Sequence, residues 1–169
     1  PLVARGGRVA LLMQNSLDLA VATFAVHALR AQVVALNPGY GERELQAMLA
    51  DAEPCVLIAD DSVRVDLGQL CAALPQERIL RTGGSGTSFL RLLASPRPLP
   101  EDLPVHTDLA SLQYTGGTTG TPKGVDILHR HLAANLVQRE AWLPTRHGME
   151  VMLCPMPLFH VSAVAMCLH

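Results

Sequence analysis

The chain has 169 residues, of which 49% are hydrophobic and 4% aromatic, and its formal net charge is −2. This length suits one ordinary domain with a substantial core, or the larger part of a two-lobed one. Such a chain lacks the basic surface and the stacking platforms of nucleic-acid-binding proteins, so we expect no nucleic-acid partner. The four cysteines lie far apart without a C-x-x-C pair, which predicts reduced thiols in a cytoplasmic protein rather than disulfides or zinc ligands.

The longest apolar stretch runs from Leu17 to Leu36 and has the length of a membrane span. Asp18, His27, Arg30 and Gln32 interrupt it, and charged groups at that density are costly in hydrocarbon. We therefore predict no transmembrane segment here, but a buried helix followed by a buried strand.

Short β-like blocks alternate with longer helical blocks through the first half of the chain. The predicted strands are Arg8–Met13, Gln32–Asn37, Cys55–Asp60 and Glu77–Arg81. The predicted helices are residues 15–31, Gly41–Glu53 and a segment near Arg64–Leu74. Asn15 and Ser16 are both candidate N-caps for the first helix.

After residue 81 the composition shifts toward glycine, serine and proline, which predicts a loop or linker near residues 82–107. Beyond it the pattern predicts a strand at Asp108–Tyr114, a helix at Leu128–Trp142 and a strand at Glu150–Pro157. A last helix is predicted to begin after His160. Strand–helix alternation of this kind predicts an α/β fold, with a mostly parallel sheet flanked by helices. Ligands of such folds bind beyond the carboxyl ends of the strands.

The segment "LQYTGGTTGTPKGV", Leu112 to Val125, places a loop rich in glycine and threonine directly after a predicted strand. Its glycines allow close backbone approach to a ligand, and successive N–H groups then form an anion-binding nest. The threonine hydroxyls and the single Lys123 add donors suited to phosphate oxygens. Because proline precedes the lysine and glycine follows it, the loop is not an ordinary P-loop. We predict a polyphosphate-binding loop over residues 115–124.

Three segments together resemble the adenylate-forming (AMP-binding) enzyme superfamily. "YTGGTTGTPKGV" looks like the phosphate-binding signature of that superfamily, and "LQYTGGTTG" is most similar to medium- and long-chain fatty acyl-CoA synthetases. "PMPLFHVSAV" (Pro155 to Val164) resembles its second core segment, and the stretch from "RVALLM" to "CVLI", which includes "LNP" and "REL", resembles its early region. The resemblance covers nearly the whole chain. It implies that residues 1–169 form a single, partial N-terminal AMP-binding domain of an acyl-CoA synthetase-like enzyme.

The resemblance implies an ATP-dependent, AMP-forming acid–thiol ligase, with ATP, Mg²⁺ and coenzyme A as cofactor or co-substrates and a carboxylate, expected to be a fatty acid, as substrate. Lys123 and His160 would be catalytic, Thr115 would also help bind magnesium, and Phe159 and His160 would lie beside the acyl carboxylate and the α-phosphate. The β- and γ-phosphates would be held by the loop residues Thr115, Gly116, Gly117, Thr118, Thr119, Gly120, Thr121 and Lys123.

The sequence also departs from the superfamily's pattern. Leu128 and His131 replace the usual threonine and asparagine around His129, which leaves the capping of that helix open. The "HRH" sequence suggests a metal pair, but residues two apart on a helix point in different directions, so we expect none there. The later segments that hold a Thr-Glu pair for magnesium, an aspartate for the ribose and a distant lysine are not found. We therefore expect a fragment that is inactive alone, with apolar surface left for self-association.

Three alternatives stay open from the sequence. The chain is also compatible with an aryl-acid CoA ligase, with a peptide-synthetase adenylation domain, or with a non-catalytic nucleotide-binding module. We expect a cytoplasmic location, with peripheral membrane association of the longer parent as a further alternative. The sequence does not predict the acyl chain length, the thiol acceptor or the oligomeric state.

Overall fold

A six-stranded sheet runs through the computed structural model, which describes residues 2–83, 98–115, 122–146 and 148–169. The strands are β1 (Arg8–Leu12), β2 (Gln32–Leu36), β3 (Val56–Asp60), β4 (Ile79–Thr82), β5 (Leu109–Thr115) and β6 (Lys123–Leu128). They lie in the order β4-β3-β1-β2-β5-β6, and every neighbouring pair is parallel except β5 and β6. The carboxyl ends of β1, β2, β3 and β5 therefore meet at one edge of the sheet.

The helices are α1 (Leu17–Ala28), α2 (Glu42–Ala52), α3 (Leu67–Leu70) and α4 (His129–Trp142). A 3₁₀ turn at Gln76–Arg78 precedes β4, and a last helical turn at Val161–Ala163 continues as a π-helical turn at Val164–Leu168. The strands predicted up to β5, and the helices α1, α2 and α4, agree closely with the sequence prediction. The α/β class with a mostly parallel, helix-flanked sheet is confirmed.

Two apolar layers cover the sheet because alternate strand residues point to opposite faces. On one face α2 and α3 pack against Ala10, Leu12, Val34, Leu36, Leu57 and Leu112. On the other face α1 packs against Val9, Leu11, Val33, Ala35, Val56 and Ile58. Strands buried on both faces read as continuous apolar runs, which is why the sequence identified them.

The turn after α1 is held by an ion cluster. Arg30, 7% exposed, adopts a φ of 57° and its Nε donates to Asp108 Oδ2 at 2.8 Å. Asp102 also pairs with Arg30, and the exposed Arg5 reaches Asp108 at 3.3 Å. The Arg30 guanidinium holds the pKa of Asp108 well below its usual range. This cluster fixes the start of β5 against the end of α1.

The β5–β6 hairpin was not predicted from the sequence. Thr115 pairs with Lys123 and Gln113 with Val125 in an antiparallel register. The pattern of "KGVDIL" is short and β6 is an exposed edge strand, so burial gives it little signal. The loop predicted over 115–124 is thus the connection of a hairpin, with Lys123 and Gly124 already in β6.

Two other predictions were wrong. Residues Glu150–Pro157 form no strand, because Pro155 and Pro157 have no N–H to donate and Val151 is 98% exposed instead of facing a core. The helix expected near Arg64–Leu74 is reduced to the four residues of α3, capped by Asp66. The linker expected near 82–107 lies partly outside the described residues, since 84–97 are not described.

Within the described ranges, no helix is both long and apolar enough to cross a membrane. The apolar stretch 17–36 is instead divided between α1 and the buried strand β2, with a turn at Leu29–Ala31 between them.

Candidate functional site

A cavity of about 360 Å³ opens at the carboxyl ends of β2 and β5. Thr115 at the end of β5 and Asn37 just after β2 lie on one side of it, and Phe159–Val161 of the last segment form another. Tyr40 and Met48 add to the lining from the β2–α2 connection and from α2. This is the edge at which open α/β sheets bind their ligands.

Thr115 and Lys123 lie opposite each other at the open end of the β5–β6 hairpin. They are directly paired in the ladder, and the Thr115 hydroxyl donates to the Lys123 carbonyl at 3.4 Å. Both side chains are exposed. Between them, Gly116, Gly117, Thr118, Thr119, Gly120 and Thr121 lie outside the described residues. The hairpin therefore fixes both ends of the predicted phosphate-binding loop beside the cavity.

Phe159 and His160 enter the same cavity from the far end of the chain. Phe159 is half-buried and packs against the apolar layer beneath α1. His160 is exposed and begins the last helical turn, where its Nδ1 accepts from the Ser162 N–H at 3.2 Å. A neutral imidazole that accepts at Nδ1 carries its proton on Nε2. His160 thus combines the capping role with a donor nitrogen left over for a ligand.

Tyr114 connects the base of the phosphate-binding loop to α2. Its hydroxyl lies 2.6 Å from Asp51 Oδ2, to which it donates, and 3.0 Å from the Met48 carbonyl. Burial, followed by this bond to the Asp51 carboxylate, raises the pKa of Tyr114 above its usual range. Tyr114, which directly precedes Thr115, is therefore tied by hydrogen bonds to helix α2.

The donors at the cavity suit a metal that is bound mostly through a substrate. Among the residues that the structure describes, no three histidine, cysteine or acidic side chains form a group able to hold a metal ion. The exposed Thr115 hydroxyl is the oxygen donor that the sequence singled out. Magnesium ordinarily keeps several waters and is bound through one or two carboxylates plus substrate phosphates, and a threonine hydroxyl beside a phosphate-binding loop can serve as a further ligand.

The histidines of the "HRH" sequence are structural. His131 Nδ1 accepts from the Leu128 N–H at 3.1 Å, so His131 caps the helix that Leu128 cannot cap with its own side chain. His129 begins α4 and its ring lies 5.0 Å, centroid to centroid, from the ring of the buried His27. Burial, and then the nearby His129 and His169, lower the pKa of His27 to about 4.

A second, largely apolar cavity of about 210 Å³ adjoins the first and shares Gln113 and Val161 with it. Ile127, Leu132 and Val164 contribute to its lining, so it lies between the sheet, α4 and the last helical turns. An apolar space beside a polar one is suited to a molecule with a charged head and an apolar body.

Sequence reasoning missed several lining residues. Tyr114 begins the segment "YTGGTTGTPKGV" but was given no role of its own, and Tyr40 carried no motif. Asn37 was noted only as the end of a strand, but its side chain accepts from the Gly39 N–H at 2.8 Å and shapes the connection that leads to Tyr40. The available signal was position, since all three residues stand at or just beyond the carboxyl end of a predicted strand.

The fold has clear counterparts among solved structures. The crystal structure of a long-chain-fatty-acid-CoA ligase from Archaeoglobus fulgidus superposes with a TM-score of 0.84 at 30% identity, over 96% of this chain and 33% of that one. Among curated relatives, the long-chain-fatty-acid–CoA ligase of Salmonella typhimurium is 31% identical over 195 aligned residues, which cover 96% of this chain and 35% of the relative. The 4-coumarate–CoA ligase 5 of Oryza sativa subsp. japonica is 33% identical over 170 residues, covering 96% and 31% respectively.

The chain belongs to the AMP-binding enzyme family, whose model matches residues 3–169. The resemblance drawn from the three sequence segments is confirmed. The chain spans about a third of the length of the curated relatives it matches.

Proposed function

We propose that this chain is the front part of the N-terminal domain of an ATP-dependent, AMP-forming fatty acid–CoA ligase. The longer protein would convert a fatty acid and ATP into an acyl-adenylate and pyrophosphate, and then pass the acyl group to coenzyme A with release of AMP. The chain covers a third of its relatives, so we assign it part of the ATP site and the first part of the acyl site. It would be inactive without the remainder.

The observation that carries the proposal is the convergence of Thr115, Phe159 and His160 on one cavity. These residues come from two sequence segments that are far apart, and both segments resemble motifs of one enzyme family. A module that only bound nucleotide would not need the second segment beside the phosphate-binding loop, whereas an enzyme that joins an acid to ATP needs both.

The first chemical step is attack of a carboxylate oxygen on the α-phosphorus, with cleavage of the bond to pyrophosphate. Two anions must meet, so the protein contributes mostly position and charge neutralisation. We assign the β- and γ-phosphates to the loop between Thr115 and Lys123, with the Lys123 ammonium as a mobile cation. We assign the carboxylate and the α-phosphate oxygens to the vicinity of His160, whose Nε2–H is a donor. Phe159 packs beside them and excludes water.

We assign magnesium to the Thr115 hydroxyl and to the phosphate oxygens of ATP. When bound, the ion neutralises phosphate charge. The hydroxyl directs its hydrogen to the Lys123 carbonyl at 3.4 Å, so the lone pairs of its oxygen stay free to ligate the ion.

The adjoining apolar cavity supports an acid with a hydrocarbon body, and the names of the bacterial and archaeal relatives agree with a long aliphatic chain. The name of the rice relative points to an aryl acid, which is the alternative substrate class that the experiment compares with a long aliphatic acid. A cytoplasmic location remains a proposal, supported by four cysteines that are all free.

The test is carboxylate-dependent ATP–pyrophosphate exchange by the full-length protein, with short, medium, long and aromatic acids, beside the 169-residue chain. We expect exchange by the full-length protein with the longer aliphatic acids and none by the chain. Preference for an aromatic acid would replace the substrate class. Exchange by the chain alone would show that the proposed division of the site is wrong.

A further inference from the structure

The Asn15 side chain forms hydrogen bonds with a segment that lies more than 140 residues away in the chain. Its Nδ2 donates to the Met156 carbonyl at 2.9 Å, and its Oδ1 accepts from the Leu158 N–H at 2.6 Å. The two ends of one side-chain amide thus pair with a carbonyl and an N–H two residues apart, as the backbone of a neighbouring strand would. Asn15 stands just beyond the carboxyl end of β1, a central strand of the sheet.

The sequence left open whether Asn15 or Ser16 caps α1, and the structure answers that question. The Leu19 N–H donates to Ser16 Oγ at 3.1 Å, so Ser16 is the cap. The Asn15 side chain is not needed for the helix.

The segment that Asn15 binds, Pro155 to His160, has few other interactions that order its backbone. Pro155 and Pro157 supply no N–H, and the stretch forms no strand. In the part of the chain that the structure describes, its other hydrogen bonds are local, such as His160 N–H to the Pro157 carbonyl at 2.9 Å. Leu158 and Phe159 add apolar contacts with the layer beneath α1, which anchor the segment without fixing its orientation.

We propose that Asn15 is a positioning residue that sets the placement of Phe159 and His160 relative to Thr115. Leu158, whose N–H it holds, immediately precedes those two residues. The amide ties them to the end of β1, and the parallel ladder of β1, β2 and β5 ties β1 to Thr115. The functional part of this inference rests on the proposed function, while the structural part does not.

The experiment compares Asn15→Ala with Gln14→Ala in the full-length protein. Gln14 is the matched control because it is exposed in the same connection and uses its backbone N–H, not its side chain, to bond Asp60. Hydrogen exchange at Leu158–His160, read by mass spectrometry, should speed up by about tenfold in Asn15→Ala, because two neutral hydrogen bonds are lost. It should stay unchanged in Gln14→Ala. Unchanged exchange in Asn15→Ala would overturn the proposal.

The kinetic arm separates positioning from a general loss of structure. In ATP–pyrophosphate exchange, Asn15→Ala should raise the KM for the carboxylate or lower kcat by about tenfold or more, with the KM for ATP within about twofold of wild type. Asn15→Asp keeps an acceptor for the Leu158 N–H but sets a carboxylate oxygen against the Met156 carbonyl, so it should not restore the wild-type values. Equal rises in the KM for ATP and the KM for the carboxylate, or no change in either KM or in kcat, would overturn the positioning role. Absence of exchange by the wild type with any acid would instead refute the proposed function, and the hydrogen-exchange arm would still decide whether Asn15 holds the segment.

Discussion

Gly124 tests the geometry of the hairpin that carries Lys123. It lies opposite Tyr114 in the β5–β6 ladder, one residue after Lys123. A Cβ added there would lie 2.9 Å from Leu112 Cδ1 and 3.4 Å from Tyr114 Cε1. Leu112 is only 5% exposed and packed in the layer beneath α2, so its side chain has little room to withdraw.

The expected effect of Gly124→Ala follows from two opposing contributions. Replacing glycine by alanine inside a strand stabilises by roughly 0.5–1 kcal/mol. Overpacking a filled layer costs about 1–3 kcal/mol. The clash is the larger contribution, and we expect a net destabilisation of about 1 kcal/mol, with β6 displaced outward and Lys123 with it.

The assay is urea unfolding of the wild type, Gly124→Ala, Leu112→Val and the double variant. Leu112→Val removes the δ carbons that the new methyl group meets and costs about 1 kcal/mol by itself. In the double variant the clash disappears, so the two changes should be non-additive by about 2 kcal/mol in the stabilising direction, which is the net cost of Gly124→Ala plus the gain that the clash conceals. A Gly124→Ala protein as stable as wild type, or strictly additive costs, would refute the reasoning.

Three further predictions concern the anchor of the loop, the buried histidine and the uncovered surface. Tyr114→Phe keeps the ring but loses the bond to Asp51, and we expect destabilisation of about 1 kcal/mol together with a raised KM for ATP, measured by urea unfolding and pyrophosphate exchange. The pKa of His27 falls from 6.5 to about 4 on folding, so the unfolded chain binds more protons than the folded chain between these pH values. The contribution of His27 to the free energy of unfolding should therefore be fully present above about pH 6.5 and fall toward pH 4. The variant His27→Leu should flatten that part of the pH profile. Trp142, Val151 and Leu153 are 86%, 98% and 87% exposed, so the 169-residue chain should self-associate in sedimentation velocity, and a clean monomer would count against this.

The sequence was most informative where one physical demand dominated. The buried strands and α1 and α2 were predictable because full burial leaves long apolar runs and alternation leaves little choice of fold. The prediction of a polyphosphate-binding loop rests on glycine, hydroxyls and one lysine in one short segment, of which the structure describes the two ends, Thr115 and Lys123. The segment around Phe159 and His160 was identified through resemblance, and only the fold places it beside Thr115.

The features that the sequence did not predict depend on interactions outside the local sequence or on prolines that interrupt an apolar pattern. β6 is stabilised by pairing with β5 along an exposed edge, and pairing partners leave no local pattern. The apolar residues of 150–157 imitate a strand, although prolines prevent the ladder. The roles of Asn15, Tyr114 and His131 depend on bonds to atoms that no local window contains, over as many as 143 residues in the case of Asn15.

The central claim is that Lys123 and the loop before it hold the phosphates of ATP. The most direct measurement is the KM for ATP in carboxylate-dependent pyrophosphate exchange, for full-length wild type, Lys123→Gln and Arg130→Gln. Arg130 is the control because it is another exposed cation, at the start of α4. Loss of a charged hydrogen bond predicts a rise of about 10- to 100-fold for Lys123→Gln and no change for Arg130→Gln. An unchanged KM for ATP in Lys123→Gln, or an equal rise in both variants, would contradict the account.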